Sequence, residues 1–147
     1  PDVSHTSDGT FRDIIRLAEG PVIASHSNCR ALCDVRRNLT DDQLRAIRDT
    51  GGVVGVNVYH GFVHEDPRRQ TAAMLARHAA HIAETIGPEH VACGFDFCEY
   101  FGPGNEGCEG MENCAQTGNF FFELERLGFS AAERQGITSE NLLRVLE

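Results

Sequence analysis

A short apolar run ending in histidine occurs twice in this chain, separated by one helix-sized segment, and no other feature constrains the fold as much. Asp2-Val3-Ser4-His5 comes first, and Pro21-Val22-Ile23-Ala24-Ser25-His26 follows. Strand, helix, strand, with each strand closing on an imidazole, is the pattern of a parallel α/β fold and sets both rings at one sheet edge. The carboxyl ends of parallel strands are where such folds carry their chemistry. Two neutral imidazoles side by side suit a borderline-soft cation such as zinc. A hydrogen-bonded surface pair is the plainer alternative.

The alternation continues along the chain. Ser7 caps a predicted helix through Phe11, Ile14, Ile15 and Leu17, which Gly20-Pro21 stops. Residues 27–38 lack a helical period and read as a long loop. Thr40 and Gln43 form a capping box for a helix with Leu44 and Ile47 inward, ended by Gly51-Gly52. Val53 to Tyr59 is the next predicted strand. A helix over about residues 71–86 carries Met74, Leu75 and Ile82 on one face, and Gly87-Pro88 terminates it. His90 to Phe97 reads as a further strand, and Cys98 to Cys114 as an irregular Gly-rich stretch. Helices are expected from Phe120 to Leu127, after the Ser130/Glu133 capping box, and from Thr138 or Ser139 to the end. Strands recurring at roughly 30 to 40 residues match the repeat of a (β/α)8 TIM-like barrel. Three whole strands and the tail of a fourth make up only part of one. An open edge would expose backbone and core, so residues 1–147 are expected to act as one barrel half completed by further chain or a partner.

Composition excludes several classes. The 147 residues carry a formal net charge of −9 with no basic run, which argues against nucleic acid. No apolar stretch approaches membrane-spanning length, and no signal segment opens the chain. Pro1 lies within a strand-like run, so sequence upstream of it is expected. Six cysteines fit either disulfides or free thiols; free thiols in a cytoplasmic protein are the favoured reading. Cys93 lies in an apolar run as a small hydrophobe, and Cys108 and Cys114 are spaced loosely enough to pair or to bind metal.

The strand-end positions His5, His26, Asn57 to Tyr59 and Asp96 converge on one mouth in a barrel. That set suits metal-assisted hydrolysis, in which a cation activates water and a nearby carboxylate moves its proton. Helix capping is the plainer role for Asp96. Arg36 and Arg37 follow a strand-end loop, where one guanidinium can clamp a carboxylate through two parallel hydrogen bonds. His78 and His81, three apart, are spaced to chelate metal, but a solvated helix face is the favoured reading. His60 lies just past a strand end.

These blocks, with Arg36-Arg37-Asn38-Leu39-Thr40-Asp41, Gly52 to Tyr59, Gly94-Phe95-Asp96-Phe97 and Asn141-Leu142-Leu143-Arg144-Val145, resemble the membrane (renal) dipeptidase family of zinc peptidases. The resemblance runs in order across nearly the whole chain and covers the C-terminal half of an amidohydrolase-like barrel. It implies hydrolysis of dipeptides at a two-zinc site, with one zinc liganded by His5 and His26. It further implies that Arg37 holds the substrate carboxylate and that Asp96 transfers protons and reads the substrate amine; Tyr59, from its strand-end position, is expected to border the substrate. A His-x-Asp pair, a bridging Glu and a further His would come from upstream, so the isolated chain is expected to be weakly active or inactive. Homo-oligomers are compatible with this reading. A non-catalytic half-barrel working with a partner chain, and another metal-dependent amidohydrolase, are the rival readings. The chain departs from the family at Cys98-Glu99, where Asp-Gly is usual.

Overall fold

The computed structural model describes all 147 residues. Four extended segments lie side by side, parallel and in chain order. Residues 1–3 pair with the second segment through Val3 N–H to Ile23 O (2.8 Å) and Ile23 N–H to Pro1 O (2.9 Å). Ala24 bridges Val54, and β1 (Val54–Val56) pairs with β2 (Val91–Cys93) in the register Val54–Val91, Gly55–Ala92, Val56–Cys93. All three β1 residues are buried, as expected of a parallel strand covered on both faces.

Helices lie between and beyond the extended segments. They are α1 (Asp8–Leu17), α2 (Asp41–Asp49), the single turn α3 (His60–Val63), α4 (Ala72–Ile86), α5 (Thr117–Arg126), α6 (Ala131–Gln135) and α7 (Asn141–Leu146). The predicted caps are present. Ser7 accepts from Thr10 N–H, and the Thr40/Gln43 and Ser130/Glu133 boxes are reciprocal, each satisfying two otherwise free helix-end groups. Phe11, Leu44, Ile47, Leu75, Ile82, Phe120, Leu124 and Ile137 join the strand valines in one apolar cluster.

Two features of the backbone differ from the sequence-based expectation. The regular ladders are only three residues long, because beyond Val56 the chain leaves ladder geometry. Val58 still takes Phe95 O as acceptor and receives Cys108 N–H. The expected last helix begins as a π-helical turn (Gly136–Glu140) running on from α6. There Asn141 reaches back and donates to Pro88 O (2.9 Å) and Val91 O (2.7 Å), tying the C-terminus to β2.

His78 departs most from its reading. It is fully buried rather than solvated, because α4 is covered by α2, α3 and α5. Its Nδ1 accepts from Cys29 N–H (3.1 Å) and its Nε2 donates to Val63 O (2.8 Å), clamping the 28–39 loop onto α3 and α4. His81 instead meets Asp41 at 2.8 Å. Burial lowers the pKa of His78 from 6.5 to about 4, with His81 and His64 adding to the shift. Unfolding therefore takes up a proton between those values. The His78 contribution to stability is complete above pH 6.5 and lost as pH falls toward 4, a difference of about 3 kcal/mol. Urea unfolding across that range should show this slope in the wild type and its flattening in His78→Gln.

Candidate active site

Only two residues other than glycine adopt positive φ, His5 (68°) and Asp96 (58°). Such a conformation costs a side-chain-bearing residue on the order of 1–3 kcal/mol and persists only where the surroundings impose it. Both residues end extended segments, and the conformation turns their side chains over the strand ends.

The two imidazoles meet. His5 Nε2 and His26 Nε2 are 2.9 Å apart, with ring centroids at 5.0 Å and planes inclined by 61°. His26 Nε2 also lies 3.8 Å from Asp96 Oδ2. Behind His26, its Nδ1 contacts Ser25 Oγ at 2.7 Å, and Ser25 Oγ donates to Asp2 Oδ2 at 2.5 Å. Asp2 Oδ1 also accepts from the Ser4 and Ser25 amides, both at 3.0 Å. Burial pushes the Asp2 carboxyl up, but the hydrogen bonds from Ser25 and Ser4 outweigh it and hold the group below the usual carboxylate value. Burial also lowers the His26 pKa, against the opposing pull of Asp96.

Asp96 is set by a buried amide. Asn57, fully buried, donates from Nδ2 to Asp96 Oδ2 (3.1 Å) and accepts Tyr59 N–H at Oδ1 (2.7 Å). Asn28 pairs with the Asn57 backbone through both halves of its amide, at 2.9 Å each, extending the parallel pairing with a side chain.

Arg37 stands beside the histidines. It donates to His26 O (3.1 Å) and Ser27 Oγ (3.2 Å), its guanidinium lies 5.6 Å from the Phe62 ring centre, and its Nε is buried without a partner. Tyr59 is not part of this cluster. Its ring stacks on His60 and Phe62 and lines a cavity of about 220 Å³ that Asp96, Cys98 and Phe101 also border.

The donor set fits part of a metal shell. Two nitrogens roughly 2.0–2.1 Å from one ion stand about 2.9 to 3.4 Å apart at angles between 90° and tetrahedral, and the His5–His26 separation falls at the near end. No group of three or more His, Cys, Asp or Glu side chains in the chain converges on one point, so two imidazoles are what it offers. The six cysteines are all free and add no ligand; Cys108 and Cys114 neither pair nor meet a metal cluster. Asn57 was placed at the mouth in sequence, but Asp2, Ser25 and Asn28 were not singled out as partners. The signal available for them was proximity to the two histidine-terminated runs.

Paired imidazoles, a carboxylate and a guanidinium at the carboxyl ends of parallel strands make a site suited to a cation. The chain belongs to the membrane dipeptidase family, peptidase family M19, whose profile matches residues 1–147. It is 33% identical over 146 residues to dipeptidase aclJ of Aspergillus oryzae, covering 99% of this chain and 34% of that protein. It is 48% identical over 99 residues to a Klebsiella pneumoniae protein of the pqqA 5′ region, covering 65% of this chain and 36% of the other. Among solved structures, it superposes with a TM-score of 0.87 and 31% identity on a Rhodobacter sphaeroides metallopeptidase liganded with a phosphinate mimic of L-Ala-D-Ala, covering 99% of this chain and 41% of that one. An amidohydrolase from Pseudomonas aeruginosa, at 23% identity and a TM-score of 0.86, shares the fold. The chain thus spans about a third of the length of the curated relatives it matches.

Replacing Asn57 with Ala leaves the Tyr59 amide and the Asp96 carboxylate without their buried partner. An orphaned buried group costs about 1–3 kcal/mol. Chemical denaturation should show Asn57→Ala destabilised by roughly that amount or more.

Proposed function

We propose that this chain is the C-terminal half of a zinc dipeptidase barrel, with His5 and His26 holding one of two zinc ions and the other ligands supplied by the N-terminal half. The observation that carries the reading is the 2.9 Å approach of the two Nε2 atoms. Four parallel segments in chain order, with helices between, agree with half of a (β/α)8 barrel. Coverage of 41% of the Rhodobacter metallopeptidase points the same way.

The residues suit this chemistry individually. Ser25 spends its only hydroxyl proton on Asp2, so toward His26 it accepts, and the His26 proton sits on Nδ1. That leaves a lone pair on Nε2, the form in which an imidazole binds metal, held by the hydrogen bond behind it. Zinc, when bound, supplies Lewis acidity and activates water. Asp96, within 3.8 Å of His26 and free on its Oδ1 side except for the Cys98 thiol at 3.7 Å, receives and returns the proton and binds a free substrate amine. Arg37, whose two terminal nitrogens each spend one N–H on Ser27 Oγ and His26 O and keep a second, takes the substrate carboxylate. Tyr59 walls the cavity beyond Asp96. A reducing, cytoplasmic setting belongs to this reading and rests on the free thiols.

Metal analysis of the full protein should find zinc that His5→Ala or His26→Ala releases; a wild-type protein that retains none sinks the proposal. Ser25→Ala should weaken zinc affinity about 10- to 100-fold, read by competition with a chelator. Arg37→Ala should lower kcat/KM for dipeptides with a free carboxylate far more than for their C-terminal amides, and equal losses would remove Arg37 from carboxylate binding.

A further inference from the structure

A second concavity opens next to the paired histidines, and its charge is unlike that of the rest of the chain. It has a volume of about 380 Å³ and is bordered by His5, Asp8, Arg30, Arg36, Arg37 and Gln43 among others. Three guanidiniums face a single carboxylate there, in a chain whose net charge is −9. Two of the three positive groups are accounted for. Arg30 pairs with Asp8 at 3.2 Å, and Arg37 leans on His26 O and Ser27. Arg36 is exposed, and its side chain makes no hydrogen bond or ion pair with the rest of the chain. Its nearest role inside the protein is a weak attraction toward Asp8.

From this arrangement we infer that the cavity reads a second carboxylate on the substrate, that of an acidic side chain on its C-terminal residue. The inference rests on the dipeptidase reading above and adds the substrate class. An α-carboxylate on Arg37 leaves the side-chain carboxylate of an Asp or Glu three or four bonds away, and Arg36 is the adjacent residue in the same loop. A carboxylate arriving there gains a charge-assisted hydrogen bond with a guanidinium that gives up no existing partner. A neutral amide of the same shape gains no ionic contact. The excess positive charge in a concave site of a strongly acidic chain also focuses attraction on anionic ligands. Asp8, already neutralised by Arg30 and held by Gln43 Nε2 at 3.2 Å, does not oppose the ligand with a free charge. Its carboxyl is held below the usual value by Arg30.

Binding of N-acetylglutamate and N-acetylglutamine to the full protein, measured by calorimetry at low salt, tests this. Both carry the acyl amide and α-carboxylate of a dipeptide's C-terminal residue, and neither carries the free amine assigned to Asp96. N-acetylglutamate should bind about tenfold more tightly, a preference that Arg36→Gln abolishes and added salt narrows. Arg36 is exposed, so the variant should keep its fold. Equal affinities, no binding of either ligand, or a preference that survives in Arg36→Gln overturns the inference. Inorganic phosphate binding more tightly than N-acetylglutamate overturns it as well, in favour of a site for free anions. In parallel, hydrolysis of Ala-Glu should exceed that of Ala-Gln in kcat/KM, and Arg36→Gln should collapse the ratio. Failure to hydrolyse either dipeptide would count against the dipeptidase reading, whereas hydrolysis of both at one rate would count against the acidic subsite alone.

Discussion

The carbonyl oxygen of Ser25 occupies space that a side chain at Gly55 or Gly94 would need. A Cβ at either glycine would run into it, so the second, third and fourth extended segments approach one another backbone to backbone. This contact sets the heights of the chemistry-bearing residues. His26 follows Ser25 directly, Asn57 lies two residues past Gly55, and Asp96 lies two residues past Gly94. With the three backbones locked at one level, the side chains that follow them emerge on a common surface. A branched residue at either glycine would push the strands apart and separate Asp96 from His26 without touching either.

Above that level, buried amides take over the role of the ladder. The regular pairing of β1 ends at Val56, and beyond it Val58 N–H to Phe95 O is the backbone bond that continues it toward the mouth. Asn28 then holds the Asn57 backbone as a strand neighbour would, and Asn57 holds Asp96. Asn28 and Asn38 both donate to Phe62 O, the residue whose ring lies beneath Arg37. Positions of the carboxylate and the guanidinium are therefore linked through three asparagines, all buried. Such a network is stiff because each lost partner strands a polar group in the interior.

Features written locally were readable in the sequence. Ser7, Thr40 with Gln43, and Ser130 with Glu133 satisfy helix ends within three residues of themselves, so a short window contains the whole interaction. The approach of His5 to His26 was readable for a related reason, since two strands joined by one helix must be parallel neighbours. What escaped depends on residues far apart in the chain. His78 carries a polar side chain at helical spacing from His81, and only the packing of α2, α3 and α5 decides that one is buried while the other pairs with Asp41. The strands were read as longer than their ladders because apolar residues such as Val58 stay buried after regular pairing stops. The Asn28–Asn57 pairing spans 29 positions, and no periodicity announces it.

The mouth also has a direction. Arg37 and the Arg-lined cavity lie toward the loop after His26, whereas Asp96 and the Tyr59 cavity lie toward the end of the last strand; His5 borders the first, and His26 stands 3.8 Å from the Asp96 that borders the second. In the proposed pose, a substrate spanning them offers its carboxylate to one side and its amine to the other. A longer peptide would bring an uncharged amide to one of these groups and leave a partly buried charge unpaired, at a cost in transition-state binding. Cys98 sharpens the amine side. Its Sγ is 3.7 Å from Asp96 Oδ1, and burial, followed by the neighbouring carboxylates, pushes the thiol pKa up, so it stands there as a neutral group. A thiol in place of the acidic residue usual at this position in the family leaves Asp96 without a like charge two residues away. In the proposed pose the single carboxylate would face a substrate amine alone, aimed by its hydrogen bond from Asn57.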